Sequence, residues 1–268
     1  MKTGGSGDVI PSEDAAHLLQ VEEVSVSFGG IRAVSQVSFD LDQGCCGLIG
    51  PNGAGKTTLL DTLAGIHTPR EGRIRLDGHD LTGQSSTWRA QHGIRRTFQR
   101  HQAFGWLTVE ENLLVALEWR GRTRRILADL VATPSTRRRR RAHAGRIEHV
   151  LELCGLLQVR HQRAATLPIG QVRLMEFARA IVDEPRLLLL DEPTSGLGPE
   201  DTERLGSVVR EITATGTCAA VLVEHDLDFV MDVCDRMIVL VLGEVLAAGD
   251  PAEVCRDPEV ISAYIGVA

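Results

Sequence analysis

The chain has 268 residues, 43% of them apolar and 24% charged, the composition of a soluble globular protein able to bury one large domain or a domain with an inserted lobe. No apolar run reaches the ~20 residues that cross a bilayer, since LLLL at 187–190 and VLV at 221–223 are only strand-sized. Cysteines 45, 46, 154, 218, 234 and 255 show no C-x-x-C spacing and fit reduced thiols in a cytosolic protein, and the formal charge of −7 argues against a generally basic surface.

In chain order, MKTGGSGDVIPSEDAA carries no hydrophobic segment behind its lysine, so it does not read as a secretory signal, and residues 1–18 are expected to form a disordered tail. VEEVSVSF (21–28) alternates Val24, Val26 and Phe28 with Ser25 and Ser27, the period of a strand. QVSFDL (36–41) alternates too, and CCGLIG (45–50) is a short apolar strand ending in glycine. A helix from Lys56 to Leu63 and a strand within GRIRLDG (72–78) follow. From about 108 to 165, TVEENLLVALEW and RIEHVLELCGL place apolar residues at helical spacing, which predicts an inserted helical lobe. Beyond it helix and strand alternate through VRLMEFARAIV, LLLLDEP, an amphipathic helix near 200–215, CAAVLVEHD and MIVLVLG. That order predicts an α/β fold with a mainly parallel sheet.

Charge is segregated along this order. Residues 120–146 hold ten arginines and one acid, Asp129, so the remainder of the chain carries −16. RRRRR at 137–141 is a run of the kind that meets nucleic acid or anionic headgroups. No aromatics interleave it and the remaining surface is acidic, so a solvated helix face is the simpler reading and nucleic acid is not an expected partner.

Of 29 basic residues only Lys2 and Lys56 are lysine. Lys56 lies in GLIGPNGAGKTTLLDTL, where Gly50, four residues, then Gly55-Lys56-Thr57 fit the phosphate loop GxxxxGK[ST] between a strand and a helix. Glycines let successive backbone N–H groups converge on one anion, and the helix end adds its positive pole. Gly50, Pro51, Asn52, Gly53, Ala54, Gly55, Lys56, Thr57 and Thr58 are therefore the expected nucleotide-binding residues, with ATP and Mg²⁺ as ligands. Lys56 is expected at the outer phosphates, where a compact ammonium fits better than a planar guanidinium, and the Thr57 hydroxyl at Mg²⁺. Downstream, LLLLDEP ends a buried strand at Asp191, placed to hold the metal, and at Glu192, placed to orient or deprotonate an attacking water.

Four further stretches fall in a fixed order: RTFQ with Gln99, LPIGQVRLMEFARAIV with Gly170 and Gln171, PTSGLGPED, and VLVEHD with His225. With them the chain resembles, over roughly residues 20 to 250, an ABC transporter nucleotide-binding subunit. GIRRTFQ, LTVEENLLVAL, the LPxGQ segment and GDPAEV…AYIG resemble branched-chain amino-acid importer ATPases of the LivG type. The resemblance implies a P-loop NTPase (ABC ATPase) domain over 19–250. That domain would have a small antiparallel β subdomain, an α-helical subdomain inserted at about 100–180, and a C-terminal extension at 251–268. It implies head-to-tail pairing with a second ABC ATPase subunit, identical or related, so that Gly170 and Gln171 of one meet the γ-phosphate held by the other. Gln99 would sense Mg²⁺ and the attacking water, His225 would bridge the γ-phosphate to Glu192, and Phe28 would stack on adenine. The strand period equally allows Phe28 a core position. The implied partners are separate transmembrane permeases at the cytoplasmic face of the plasma membrane and, through them, a periplasmic or surface substrate-binding protein. The implied cargo is branched-chain or other amino acids, or urea and amides.

The segment departs from the usual LSGGQ at Pro168 and Ile169, and glycine stands at 198 where an Asp or Asn is usual. Each lost side-chain contact is worth about 1 kcal/mol, which predicts weaker coupling between two ATP sites and not loss of hydrolysis. The alternative function is an ABC-fold ATPase acting on nucleic acid or ribosomes. Such proteins usually carry paired ATPase domains or a long coiled-coil insert, and this chain has one motif set and a short insert.

Overall fold

The computed structural model describes residues 17–97, 103–119 and 134–265. The expected tail up to residue 16, Gln99, and residues 120–133 of the arginine segment lie outside the described residues.

Strands β1 (Leu19–Phe28), β2 (Ile31–Leu41) and β3 (Gly44–Ile49) precede helix α1 (Lys56–Leu63). The hairpin of β4 (Glu71–Leu76) and β5 (His79–Asp80) leads to α2 (Ser86–Gln91) and β6 (Ile94–Arg96). Among the described residues three α-helices, α3 (Val109–Trp119), α4 (Pro134–Leu153) and α5 (Ile169–Ile181), lie between β6 and β7 (Leu187–Asp191). The chain then runs through α6 (Pro199–Ala214), β8 (Ala219–Val223), α7 (Leu227–Val233), β9 (Arg236–Val241), β10 (Glu244–Gly249), α8 (Pro251–Val254) and α9 (Pro258–Ile265).

The described strands form two sheets. One is antiparallel in the order β2-β1-β4-β5, and the other runs β10-β9-β3-β8-β7-β6. Every pair in the second sheet is parallel except β10 with β9. Its central strands are buried on both faces, which is why LLLL and AAVLV read as continuous apolar runs. Leu188, Leu190, Ala220, Leu222, Met237 and Val239 face a core shared with α3 to α6. Leu187, Leu189, Ala219, Val221, Ile238 and Leu240 face a second core shared with α1 and the antiparallel sheet.

The strand period of β1 does not survive folding intact. Its register against β2 slips at three places, Glu23 takes a left-handed φ of 48°, and Val24, Ser25 and Val26 are all buried. Phe28 accordingly leaves the core, at 48% exposure, so the core alternative for this ring is incorrect. Two helix starts have ordinary local causes: Asp226 caps α7 by accepting the Asp228 and Phe229 N–H groups, and Pro199 opens α6.

One buried cation fastens α1. Arg89, fully buried, donates from Nη1 to Thr62 O (2.7 Å) and Leu63 O (2.8 Å), the last carbonyls of α1. Its Nε reaches Gln84 O at 3.1 Å and its Nη2 reaches Leu81 O at 2.6 Å. Burial lowers its pKa to about 10, a guanidinium held by carbonyl dipoles at a helix C-terminus. Replacing it by methionine strands those carbonyls, and we expect a loss of about 3 kcal/mol in urea unfolding. A loss under about 1 kcal/mol would show that Arg89 is not what fastens the end of α1.

Candidate active site

Three neighbouring strands end on one rung: Leu48 of β3 pairs with Val223 of β8, which pairs with Asp191 of β7. One or two residues past that rung each strand turns out of the sheet, into Gly50, Glu224-His225 and Glu192. The exits therefore converge at the carboxyl edge of a parallel sheet, where such sheets place ligands.

The β3 exit is the glycine loop. Gly50 (φ 145°) and Gly55 (φ 101°) sit where a Cβ would lie 2.0 Å from Leu240 O and 2.4 Å from Ala33 O. Gly53 (φ 80°) has open space around it and needs only its backbone conformation. Ala54 is buried, while Asn52, Gly53 and Thr57 are exposed. The Gly243 N–H, in the β9–β10 turn, donates to Ala54 O at 2.9 Å and clamps the loop from behind. Leu59 N–H bonds Gly55 O at 2.9 Å, so the amides before it face out of the α1 end, as an anion cradle requires.

Lys56 is 6% exposed and folds back over this loop, donating from Nζ to Gly50 O (2.7 Å) and Pro51 O (3.0 Å). Burial depresses its pKa below the usual lysine value, opposed by the carboxylates of Glu192 and Asp191. The three residues that sequence places at the phosphates and metal thus share one field.

Asp191 is buried, and burial raises its carboxyl pKa against the opposing pull of Arg96. Its Oδ2 accepts from Arg96 Nη2 at 2.9 Å, while Oδ1 has no hydrogen-bond partner among the described residues. A buried, unsatisfied carboxylate oxygen in the field of Lys56 at the phosphate loop fits a divalent cation. Arg96 also binds Asp61 of α1, Asp61 lies 3.6 Å from His67, and His67 meets the Phe28 ring edge-on at 4.9 Å. That file of contacts links the exposed aromatic to the Asp191 carboxylate.

Glu192 and His225 are brought together, with His225 Nε2 2.9 Å from Glu192 Oε1 and both side chains partly open to solvent. Behind them Glu224 is buried and accepts from Thr194 and from the His225 N–H. Residues 167–171 sit elsewhere: Pro168 is the N-cap of α5, Ile169 is 55% exposed, and Gly170 packs against Asp201 and Leu197. A Cβ at Gly170 would come within 2.6 Å of Asp201 Oδ2, so glycine is needed there for packing within this chain. Sequence reading missed Arg96, Asp61, His67, Thr194 and Glu224. All but His67 lay inside the motif stretches, but Arg96 meets Asp61 and Glu224 meets Thr194 across 30 or more residues.

A phosphate loop, two acidic residues at the end of a central strand and a histidine just past the neighbouring strand define a P-loop ATPase. Residues 34–195 match the ABC transporter family, and residues 244–268 match the family described as branched-chain amino acid ATP-binding cassette transporter. The chain belongs to the ABC transporter family, as one of its ATP-binding, ATP-hydrolysing subunits. It is 38% identical to the high-affinity branched-chain amino acid transport ATP-binding protein BraF of Pseudomonas aeruginosa, covering 94% of this chain and 98% of that one. The corresponding protein LivG of Escherichia coli is 39% identical with the same coverage. Among solved structures, a nucleotide-free ATP-binding cassette of an ABC transporter superposes with a TM-score of 0.79 at 29% identity, over 93% of this chain and 99% of that one. An ATP-binding cassette in its ADP conformation gives 0.79 at 28% identity, with the same coverage.

The Lys56 geometry has a measurable consequence. Lys56→Arg keeps the charge but puts a planar group where one nitrogen is held between two loop carbonyls. ATP affinity should fall about tenfold or more by equilibrium titration, and unchanged affinity would contradict the steric account.

Proposed function

We propose that this subunit hydrolyses ATP to drive an importer for branched-chain amino acids, with Glu192 as the group that accepts a proton from the attacking water. The contact that carries the reading is His225 Nε2 to Glu192 Oε1 at 2.9 Å, beside Lys56 and Asp191. Residues Gly50 to Thr58 wrap the phosphates with backbone amides, and Lys56 gives its ammonium to the outer ones. Phe28, exposed at the last position of β1, stacks on the base. Thr57 and Asp191 hold Mg²⁺, which neutralises charge on the phosphate oxygens when bound. His225 keeps the Glu192 carboxylate aimed and reaches the γ-phosphate, and by the family resemblance Gln99, outside the described residues, would sense the metal and the water.

A second ABC ATPase subunit completes the site. Gly170 and Gln171 open the 13-residue helix α5, whose amides suit a γ-phosphate across the interface. Exposed Ile169 and Gly198 offer no polar side chain there, in line with weaker coupling between the two sites. Among the described residues no helix is long and apolar enough to cross a membrane, so transport requires separate permeases. A cleft of about 480 Å³ between β6 and the inserted helices, lined by Ile66, Ile94, Phe104, Val115, Arg95 and Arg179, suits a helix from such a permease. This placement puts the subunit on the cytoplasmic face of the membrane. The cargo follows from the BraF and LivG proteins, whose names specify branched-chain amino acid transport. Action on nucleic acid or ribosomes is not favoured.

Glu192→Gln should bind ATP within about twofold of the parent, lose turnover about 100-fold or more, and accumulate as an ATP-bound dimer in size-exclusion chromatography. Parental turnover in that variant would remove Glu192 from the reaction. Cargo is checked by deleting the gene and following radiolabelled leucine. Undiminished leucine uptake with lost uptake of urea or an amide would move the cargo to that class.

A further inference from the structure

Glu192 stands in a left-handed backbone conformation, φ 47°, which a non-glycine residue holds only when its surroundings enforce it. Its own N–H is fixed to Val223 O at 2.9 Å. The next restraint is two residues on, where Thr194 donates both its N–H (2.9 Å) and its hydroxyl (2.5 Å) to Glu224 Oε1. The other oxygen of the same carboxylate, Oε2, accepts the His225 N–H at 3.1 Å. Glu224 is 4% exposed and forms no salt bridge among the described residues, so neutral donors alone compensate a buried negative charge. Burying a carboxylate merely to close a turn is costly when a neutral acceptor would serve. Charge-assisted bonds are shorter and stiffer, and here all three converge on the two loops that carry Glu192 and His225.

We propose that Glu224 is a positioning residue for hydrolysis: one buried carboxylate ties the loop after Glu192 to the loop of His225 and sets the separation of those two side chains. The proposal rests on the reading of Glu192 and His225 as the reacting pair. Neutral substitution leaves the fold and the phosphate loop in place but lets the pair drift, so it lowers turnover and spares nucleotide affinity.

The test compares Glu224→Gln, Thr194→Val, the double variant and Thr194→Ser in the full chain. The glutamine cannot accept on both sides, because its amide nitrogen must face either Thr194 or His225. We expect kcat to fall about tenfold or more in Glu224→Gln and in Thr194→Val, with KM for ATP within about twofold of the parent. The double variant should be no slower than the slower single, and Thr194→Ser, which keeps both donors, should hold at least about half of the parental kcat. Amide hydrogen exchange at Thr194 and His225 should speed up in Glu224→Gln. Parental kcat in Glu224→Gln, additive losses in the double, or a loss appearing in KM and the unfolding midpoint together would overturn the proposal. If Glu224→Gln does not fold, the Thr194 valine and serine variants decide it by the same criteria. Glu192→Gln run alongside separates the two claims. If it turns over normally the reacting pair is misassigned and the proposal falls with it. If it is inactive while Glu224→Gln is not, only the positioning claim fails.

Discussion

The rung Leu48–Val223–Asp191 is the constraint from which the rest of the site follows. Parallel pairing in register ends three buried strands at one level, and the residues just past that level, Gly50, Glu192 and Glu224, come from three separate segments of the chain. A shift of one residue in β7 would turn Asp191 to the opposite face and remove the carboxylate from Lys56. Apolar burial on both faces holds the register: Leu187 to Leu190 and Ala219 to Val223 are all buried, so any slip exposes or collides a full set of side chains. Catalytic geometry here is a consequence of sheet packing.

Arginine serves the frame of this protein, and lysine serves its phosphate loop. Arg89 is buried among carbonyls at the end of α1, and Arg96 bridges Asp61 and Asp191. Both use the fork of the guanidinium to satisfy several acceptors at once. Lys56 instead brings one nitrogen to Gly50 O and Pro51 O within a tight loop. Of the two lysines among 29 basic residues, Lys56 thus answers a geometric demand of its loop.

Much of this was legible in the sequence because it depends on local pattern. The parallel strands announce themselves as apolar runs, α1, α5 and α6 by their place and periodicity between those runs, and the phosphate loop by glycines whose backbone angles and close contacts admit little else. What stayed hidden depends on distant pairing. Strand β6 has three residues, too few to show a period, and exists because β7 offers it an edge. Phe28 followed the period of β1 in sequence, yet the bulges around Glu23 and Val24 turn it out to solvent. Glu224 sat in view within VLVEHD, but its contact with Thr194 spans 30 residues and only the fold reveals it. Gly170 carries a packing demand from Asp201 that its place in a recognised segment does not suggest.

The most direct measurement is a structure of the assembled transporter bound to magnesium and a non-hydrolysable ATP analogue. The account predicts the triphosphate against the amides of residues 52–58, the cation between Thr57 and the free oxygen of Asp191, and the N-terminal turn of α5 from a second ATPase subunit on the γ-phosphate. An analogue seated away from Lys56, or seated there in a closed assembly yet untouched by any second subunit, would contradict it.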